Sequence, residues 1–200
     1  MFCTVDDVED FLQIEISEAA AVAACERAIE EATEAIRNYT HQVISQVTET
    51  ITIDGKGGWK IFLPQVPVTA VTSVIENDET LTGDDDFKLG QHGILYRLNH
   101  HWSAGVQNVS VRYTHGYATI PEDIVGVATR SAARVYQAGL RSKEHNGIAG
   151  VGGLTLGDYS VTYGAEQGGG VGEGIMGVSA ARVLLLSEKD ILARYRYKAQ

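Results

Sequence analysis

Two hundred residues, of which 44% are hydrophobic, can bury a real core, so disorder throughout is excluded and the length suits one domain with an elaboration or two small lobes. Cys3 and Cys25 are too few for a disulfide framework, the N-terminus shows no basic region followed by an apolar run, and no apolar stretch approaches the roughly 18 residues of a bilayer span. A soluble protein of a reducing cytoplasm is expected, without a membrane partner, and the formal net charge of -10 argues against a general nucleic-acid binder.

Thr4 followed by Asp7 has the makings of a cap for a short helix over 5–12, and Ser17 can cap a longer one over 18–40. In the longer segment Val22, Cys25, Ile29, Ala32, Ile36 and Tyr39 recur at spacings of three and four, so they share one apolar stripe on a helix about 33 Å long. Cys25 lies on that stripe and reads as a small buried hydrophobe rather than a reactive thiol.

From 43 to 114 the pattern changes to β. Val47, Ile51 and Ile53 alternate with Thr48, Thr50 and Thr52, and further strands are predicted at 60–63, 70–76, 94–98 and 108–114. DGKGG at 54–58 and GDDD at 83–86 supply turns, while Pro64 and Pro67 argue against a central strand between them. Together these pieces predict a small antiparallel sheet inserted between helices. Val109, Val111 and Tyr113 alternate with Ser110, Arg112 and Thr114, after which Gly116 breaks the strand. Pro121 suits a first helical position, Glu122 and Asp123 sit at the positive end of the helix dipole, and Ile124, Ala128, Ala132 and Val135 mark a narrow stripe on a helix over 121–139.

Beyond Gly139, LTLGDYSVTY at 154–163 is a strand or hairpin candidate, and GAEQGGGVGEGIMG at 164–177 reads as a tether with a free-coil reach of roughly 20 Å. SAARVLLLSEKDILARYRYK reads as a terminal helix or helix pair. The chain is therefore expected to be α+β: a body over 1–163, and a tether with a C-terminal helical segment over 164–200. Charge is polarised along it. Up to Glu34 ten acidic side chains face one arginine, Arg27, whereas from Arg182 onward five basic residues face only Glu188 and Asp190. Two solvated helix faces would account for this, as would complementarity between copies or with a partner ring.

Chemistry-bearing patterns are thin. The glycine runs lack the lysine and Ser/Thr of a phosphate loop, and no Ser sits in a G-x-S-x-G turn. His92, His100, His101 and His115 lack metal-ligand spacing, and Asp84, Asp85 and Asp86 lack the ligand pattern of a calcium loop. No catalytic residue, metal ligand or cofactor is assigned. Trp59 and Trp102 are both expected to pack in the core.

VQNVSVRYTHGYATIPEDIVGVATRSAARVY at 106–136 resembles a segment of the head-to-tail connector (adaptor, or head-completion) proteins of tailed bacteriophages. TVDDVEDFLQI, AIEEATEAIRNYT, LPQVPVTAVTSVIEND, GILYRLNHHWSAG and LGDYSVTYG add to it in the same order, so that the likeness spans residues 4 to about 163. The resemblance implies a structural virion protein, assembled in the host bacterial cytoplasm, whose copies form a ring, typically of twelve, beneath the portal protein. The ring extends the channel through which double-stranded DNA passes without specific binding, and offers a docking surface to the tail or a stopper protein. On this reading the C-terminal segment docks on the portal or on a neighbouring subunit through Leu184, Leu185, Leu186, Ile191, Leu192, Arg194, Tyr195 and Arg196, and removing 179–200 should abolish docking while leaving a folded body. Another neck, stopper or tail-completion protein remains open as an alternative, as does a small-molecule-binding protein or enzyme.

Overall fold

The computed structural model describes residues 1–144, 153–156, 159–162 and 183–196. The tether at 164–177 lies outside them. The chain is α+β and divides into two units, Met1–Ala35 with Gly126–Leu186, and Ile36–Val125 with Ser187–Gln200.

Helix α1, in the first unit, spans Val5–Leu12, while α2 (Ala19–Thr40) and α3 (Glu122–Glu144) each run across the boundary between the units in sequence. Its start is a reciprocal cap: the Asp7 N–H donates to Thr4 Oγ1 at 3.2 Å, and the Thr4 N–H donates to the Asp7 carboxylate at 2.7 Å. It ends because Gln13 turns left-handed at φ 55° and sends its N–H to the Glu9 carbonyl. Helix α2 spans Ala19–Thr40, one residue later than expected, and its first turn closes on the Glu18 carbonyl, which accepts from the N–H groups of Ala21 and Val22. Along the predicted stripe Cys25, Ile29, Ala32 and Ile36 are buried. Helix α3 spans Glu122–Glu144, longer than expected, and the Pro121 carbonyl accepts from Ile124 and Val125. Its buried face is wider than the predicted stripe, adding Val127, Ser131, Ala133 and Tyr136 to Ile124, Ala128 and Ala132.

Both cysteines are free and buried. Burial pushes the Cys3 thiol up to about 11 against a hydrogen bond with Thr129, and burial also raises Cys25, so both stay protonated near neutrality. Strands β8 (Gly153–Leu156) and β9 (Tyr159–Thr162) pair antiparallel across the stretch LTLGDYSVTY, which sequence offers as a strand or a hairpin.

The second unit carries the inserted β structure, which is two sheets rather than one. Strands β1 (Val47–Gly55), β3 (Val68–Glu76), β4 (Glu79–Leu81) and β7 (Gly105–His115) form one, in the order β1-β7-β3-β4. Strands β2 (Lys60–Phe62), β5 (Phe87–Leu89) and β6 (Ile94–Arg97) form the other, in the order β2-β6-β5. All pairings are antiparallel. β4 and β5, three residues each, are not among the predicted strands whereas β2, equally short, is, since runs of three are too short for alternation to decide either way. One core joins the two sheets: Val74, Val109, Val111 and Tyr113 from the larger, Ile61, Phe87 and Leu95 from the smaller, with Trp102 among them. No strand runs between Pro64 and Pro67, as their missing or restricted backbone donors dictate.

Gly116 ends β7 with φ 86°. A side chain there would meet the Ser45 carbonyl and lie 2.9 Å from the Ile44 oxygen, so glycine is required both for the backbone conformation and for the approach. The turn is pinned by the Gly116 N–H donating to the Pro67 carbonyl at 2.9 Å, Tyr117 N–H to Ile44 at 2.8 Å and Gln46 N–H to Tyr117 at 3.0 Å.

Candidate assembly surfaces

Three surfaces of the described residues have the make-up of contact sites, and each follows from local register. The first is the C-terminal segment: Val183, Leu184 and Leu185, then helix α4 (Leu186–Leu192) and a 3₁₀ turn over Ala193–Tyr195. Of the eight residues assigned to docking, Leu184 and Leu192 are buried within the chain, Leu185 and Ile191 are half-buried, and Leu186 is 73% exposed. Tyr195 is half-buried, edge-on to Tyr117 at 6.1 Å, and its hydroxyl faces the Asp123 carboxylate at 3.5 Å. Burial first, and then the Asp123 charge, hold the Tyr195 hydroxyl above its ordinary value. Arg196 lies 5.8 Å from the Tyr39 ring, and Arg194, its side chain 75% exposed, stands 3.9 Å from Asp123. The structure therefore keeps part of the segment for its own packing and leaves Leu186, Arg194 and Arg196 on the surface.

The second surface is the outer face of the three-stranded sheet. Register sets Lys60 opposite Tyr96 and Tyr96 opposite Lys88, so a lysine, a tyrosine and a lysine line up across the three strands. Phe62 and Ile94 form the adjacent row, while Ile61, Leu95 and Phe87 turn to the core. The Lys60 ammonium lies 5.4 Å from the centre of the Tyr96 ring. That ring packs against Gly90, where a side chain would collide with it. Trp59 does not join the core as expected. It is 49% exposed, lies against His101 with ring centres 4.1 Å apart and planes tilted by 49°, and helps line a groove of about 550 Å³ together with Lys88, Tyr96 and Leu98. Trp102, by contrast, is buried as expected.

Beneath this face lies its support. Glu76, with 7% of its side chain exposed, accepts from the Ser103 N–H at 2.6 Å and from Arg97 Nε at 3.2 Å. Arg97 also donates to the Asp86 carbonyl at 2.8 Å and pairs with the Asp86 carboxylate at 3.3 Å. A hydrogen bond from the Thr82 N–H, reinforced by Arg97, holds the Asp86 carboxyl below its ordinary value. The 83–86 turn is thus tied to the sheet by Asp86, whereas sequence marked it only as a solvated turn.

The third surface is α1 and its C-terminal turn. Val8 is buried, while Asp6 and Asp10, four residues apart, are exposed beside Phe11, which is 52% exposed, and beside Ile14 and Glu15.

The histidines do not converge. His115 is fully buried with Nε2 3.1 Å from Glu49, which also accepts from the Tyr113 hydroxyl at 3.2 Å, whereas His92, His100 and His101 are exposed. Glu49 was missed in sequence because it falls between threonines on an edge strand. Register with Tyr113 puts it on the core face.

Comparison with known proteins adds to this geometry. No curated protein sequence matches the chain. Among solved structures, a chain of the neck of a native gene transfer agent particle computed with C12 symmetry is similar at a TM-score of 0.52 and 16% identity, covering 98% of this chain and 89% of that one. A chain of the neck of an empty particle computed with C6 symmetry scores 0.52 at 16% identity, covering 89% and 80%. A chain of the virion of the native particle scores 0.55 at 16% identity, covering 98% and 89%. At such identities the likeness is one of fold. The profile of a family described as "Head completion protein" matches residues 1–131, from α1 through the two sheets into α3. With about two thirds of its length matched in that order, the chain belongs to the head completion protein family, structural connectors between head and tail of a phage-type virion.

Proposed function

We propose that copies of this chain form a ring of twelve beneath the portal, extending the DNA channel and presenting a platform to the tail-completion or stopper protein. The observation that carries the reading is the family match over residues 1–131, and a fold shared with a chain from a twelvefold neck supports it. No step of the role requires catalysis. Contacts that are weak singly become strong when repeated around a ring, because each engages at high effective concentration once its neighbours are docked. The net charge of -10 suits a lumen along which DNA slides without adhering. Assembly would take place in the host cytoplasm, where the two buried thiols remain reduced.

On the C-terminal segment the contact with the portal falls to Leu186, Arg194 and Arg196, since Leu184 and Leu192 are already used inside the chain. Deleting 179–200 would therefore remove core as well as contact, and surface substitutions make the cleaner test. Purified full-length chain is added to DNA-filled heads that carry the portal but lack this protein, and the vertex is imaged. A twelvefold ring is expected with the native chain, and loss of docking with L186D/R194E/R196E, which should still fold and lose no more than about 1 kcal/mol per exposed pair removed. Heads that gain no density at the portal vertex would refute the connector reading; docking unaffected by the triple variant would refute the assignment to this segment.

A further inference from the structure

We infer that the outer face of β2-β6-β5 is the docking site for the acidic helix α1 of a second copy of this chain. The inference rests on the ring reading above and names the contact that would build the ring. Both surfaces have the composition of an interface, an apolar centre bordered by charge, with opposite signs. On the sheet, Trp59, Phe62 and Tyr96 are bordered by Lys60 and Lys88; on the helix, Phe11 and Ile14 are bordered by Asp6, Asp10 and Glu15.

The charge pattern is informative because of the background. A chain of net charge -10 repels its own copies, so association needs a local surface of the opposite sign. The outward residues of the three strands, Lys60, Phe62, Lys88, Ile94 and Tyr96, include two lysines and no acid. Up to Glu34, the region that holds α1 carries ten acids against one arginine. The aromatic groups are pre-set: Trp59 is held by His101, and Tyr96 by Gly90 and Lys60, so little side-chain freedom is lost on contact. A contact between two different patches of one chain is heterologous and propagates head to tail, which closes into a ring when the rotation permits. A lysine and aromatic face can also stack nucleic-acid bases, but the row of exposed Phe62 and half-buried Ile94 and the matching patch on the same chain favour protein.

Disulfide trapping tests this on the full-length chain. Asp10→Cys and Lys88→Cys are introduced together and the protein is oxidised near neutral pH. Cys3 and Cys25 are buried, with thiols raised above their ordinary values, and compete poorly. A ladder of dimers, trimers and higher species is expected on a non-reducing gel, whereas either single variant stops at the dimer. Adding Lys60→Glu should cut the ladder at least tenfold, and adding Asp6→Lys to that should restore it. Rings seen by imaging without a ladder would overturn the contact while leaving the ring reading intact. Absence of the ladder overturns the contact whether or not rings are seen, and the ring reading, which allows a monomer away from the virion, is tested separately on the portal-bearing heads. If the chain binds a short labelled DNA, loses it in K60E/K88E and gives no ladder, the face belongs to nucleic acid and the inference is wrong.

Discussion

Replacing Glu76 by glutamine should destabilise the second unit by about 3 kcal/mol, although the side chain keeps its size and shape. The carboxylate is 7% exposed and Arg97 10%, so both ions have surrendered most of their water. Breaking a buried pair by removing one charge typically costs about 3–5 kcal/mol, because the other charge stays buried without compensation. Here the lower end applies, since Arg97 keeps the Asp86 carbonyl at 2.8 Å and the partly exposed Asp86 carboxylate at 3.3 Å. The introduced glutamine could still accept from the Ser103 N–H through its oxygen, so that bond survives. Its amide would then face Arg97 donor to donor.

Urea denaturation followed by tryptophan fluorescence measures the loss, and Trp102, 5.8 Å from the Arg97 guanidinium, reports from the site. The companion variant E76Q/R97M removes both charges and should recover most of the loss, since a buried pair is often no better than well-packed apolar side chains. The coupling between the two positions should therefore be at least about 2 kcal/mol. A single-variant cost under about 1 kcal/mol, the range of a solvated surface pair, would refute the reasoning, as would additive effects in the double variant.

Gly116→Ala should cost about 3 kcal/mol, combining about 1–2 kcal/mol for a left-handed alanine with the backbone shift needed to clear the Ser45 carbonyl; thermal melting checks it. Gly139→Ala, in α3 with open space around it, should instead stabilise by about 0.5–1 kcal/mol. In an alkaline ultraviolet titration, Tyr113, Tyr136 and Tyr195 should ionise above the ordinary tyrosine value, burial being the main cause in each, with the Glu49 charge adding to it at Tyr113 and the Asp123 charge at Tyr195. Because their folded values are raised, the stability they contribute is complete below about pH 10 and lost as pH rises above it, and Glu49→Gln should bring the Tyr113 ionisation down.

What sequence could reveal here was whatever a single segment carries within itself. The cap at Thr4 and Asp7, the stripe from Cys25 to Ile36 and the alternation from Val109 to Tyr113 are periodic or local, and each appears in the structure where it was expected. The two tryptophans show where such reading ends. Both are expected in the core, yet one is buried and the other half in solvent. Their difference comes from pairing across the chain: the Trp102 N–H bonds the Gly58 carbonyl, the Arg97 N–H bonds the Trp59 carbonyl, and those two bonds set which ring points inward. The same holds for the basic row on the small sheet. Lys60, Lys88 and Tyr96 are separated by up to 36 positions in the sequence and become neighbours only through the register of β2 and β5 against β6. An assembly surface built on strands is therefore invisible until the sheet is paired, whereas its acidic counterpart on α1, an amphipathic helix of eight residues, can be read from the residues alone.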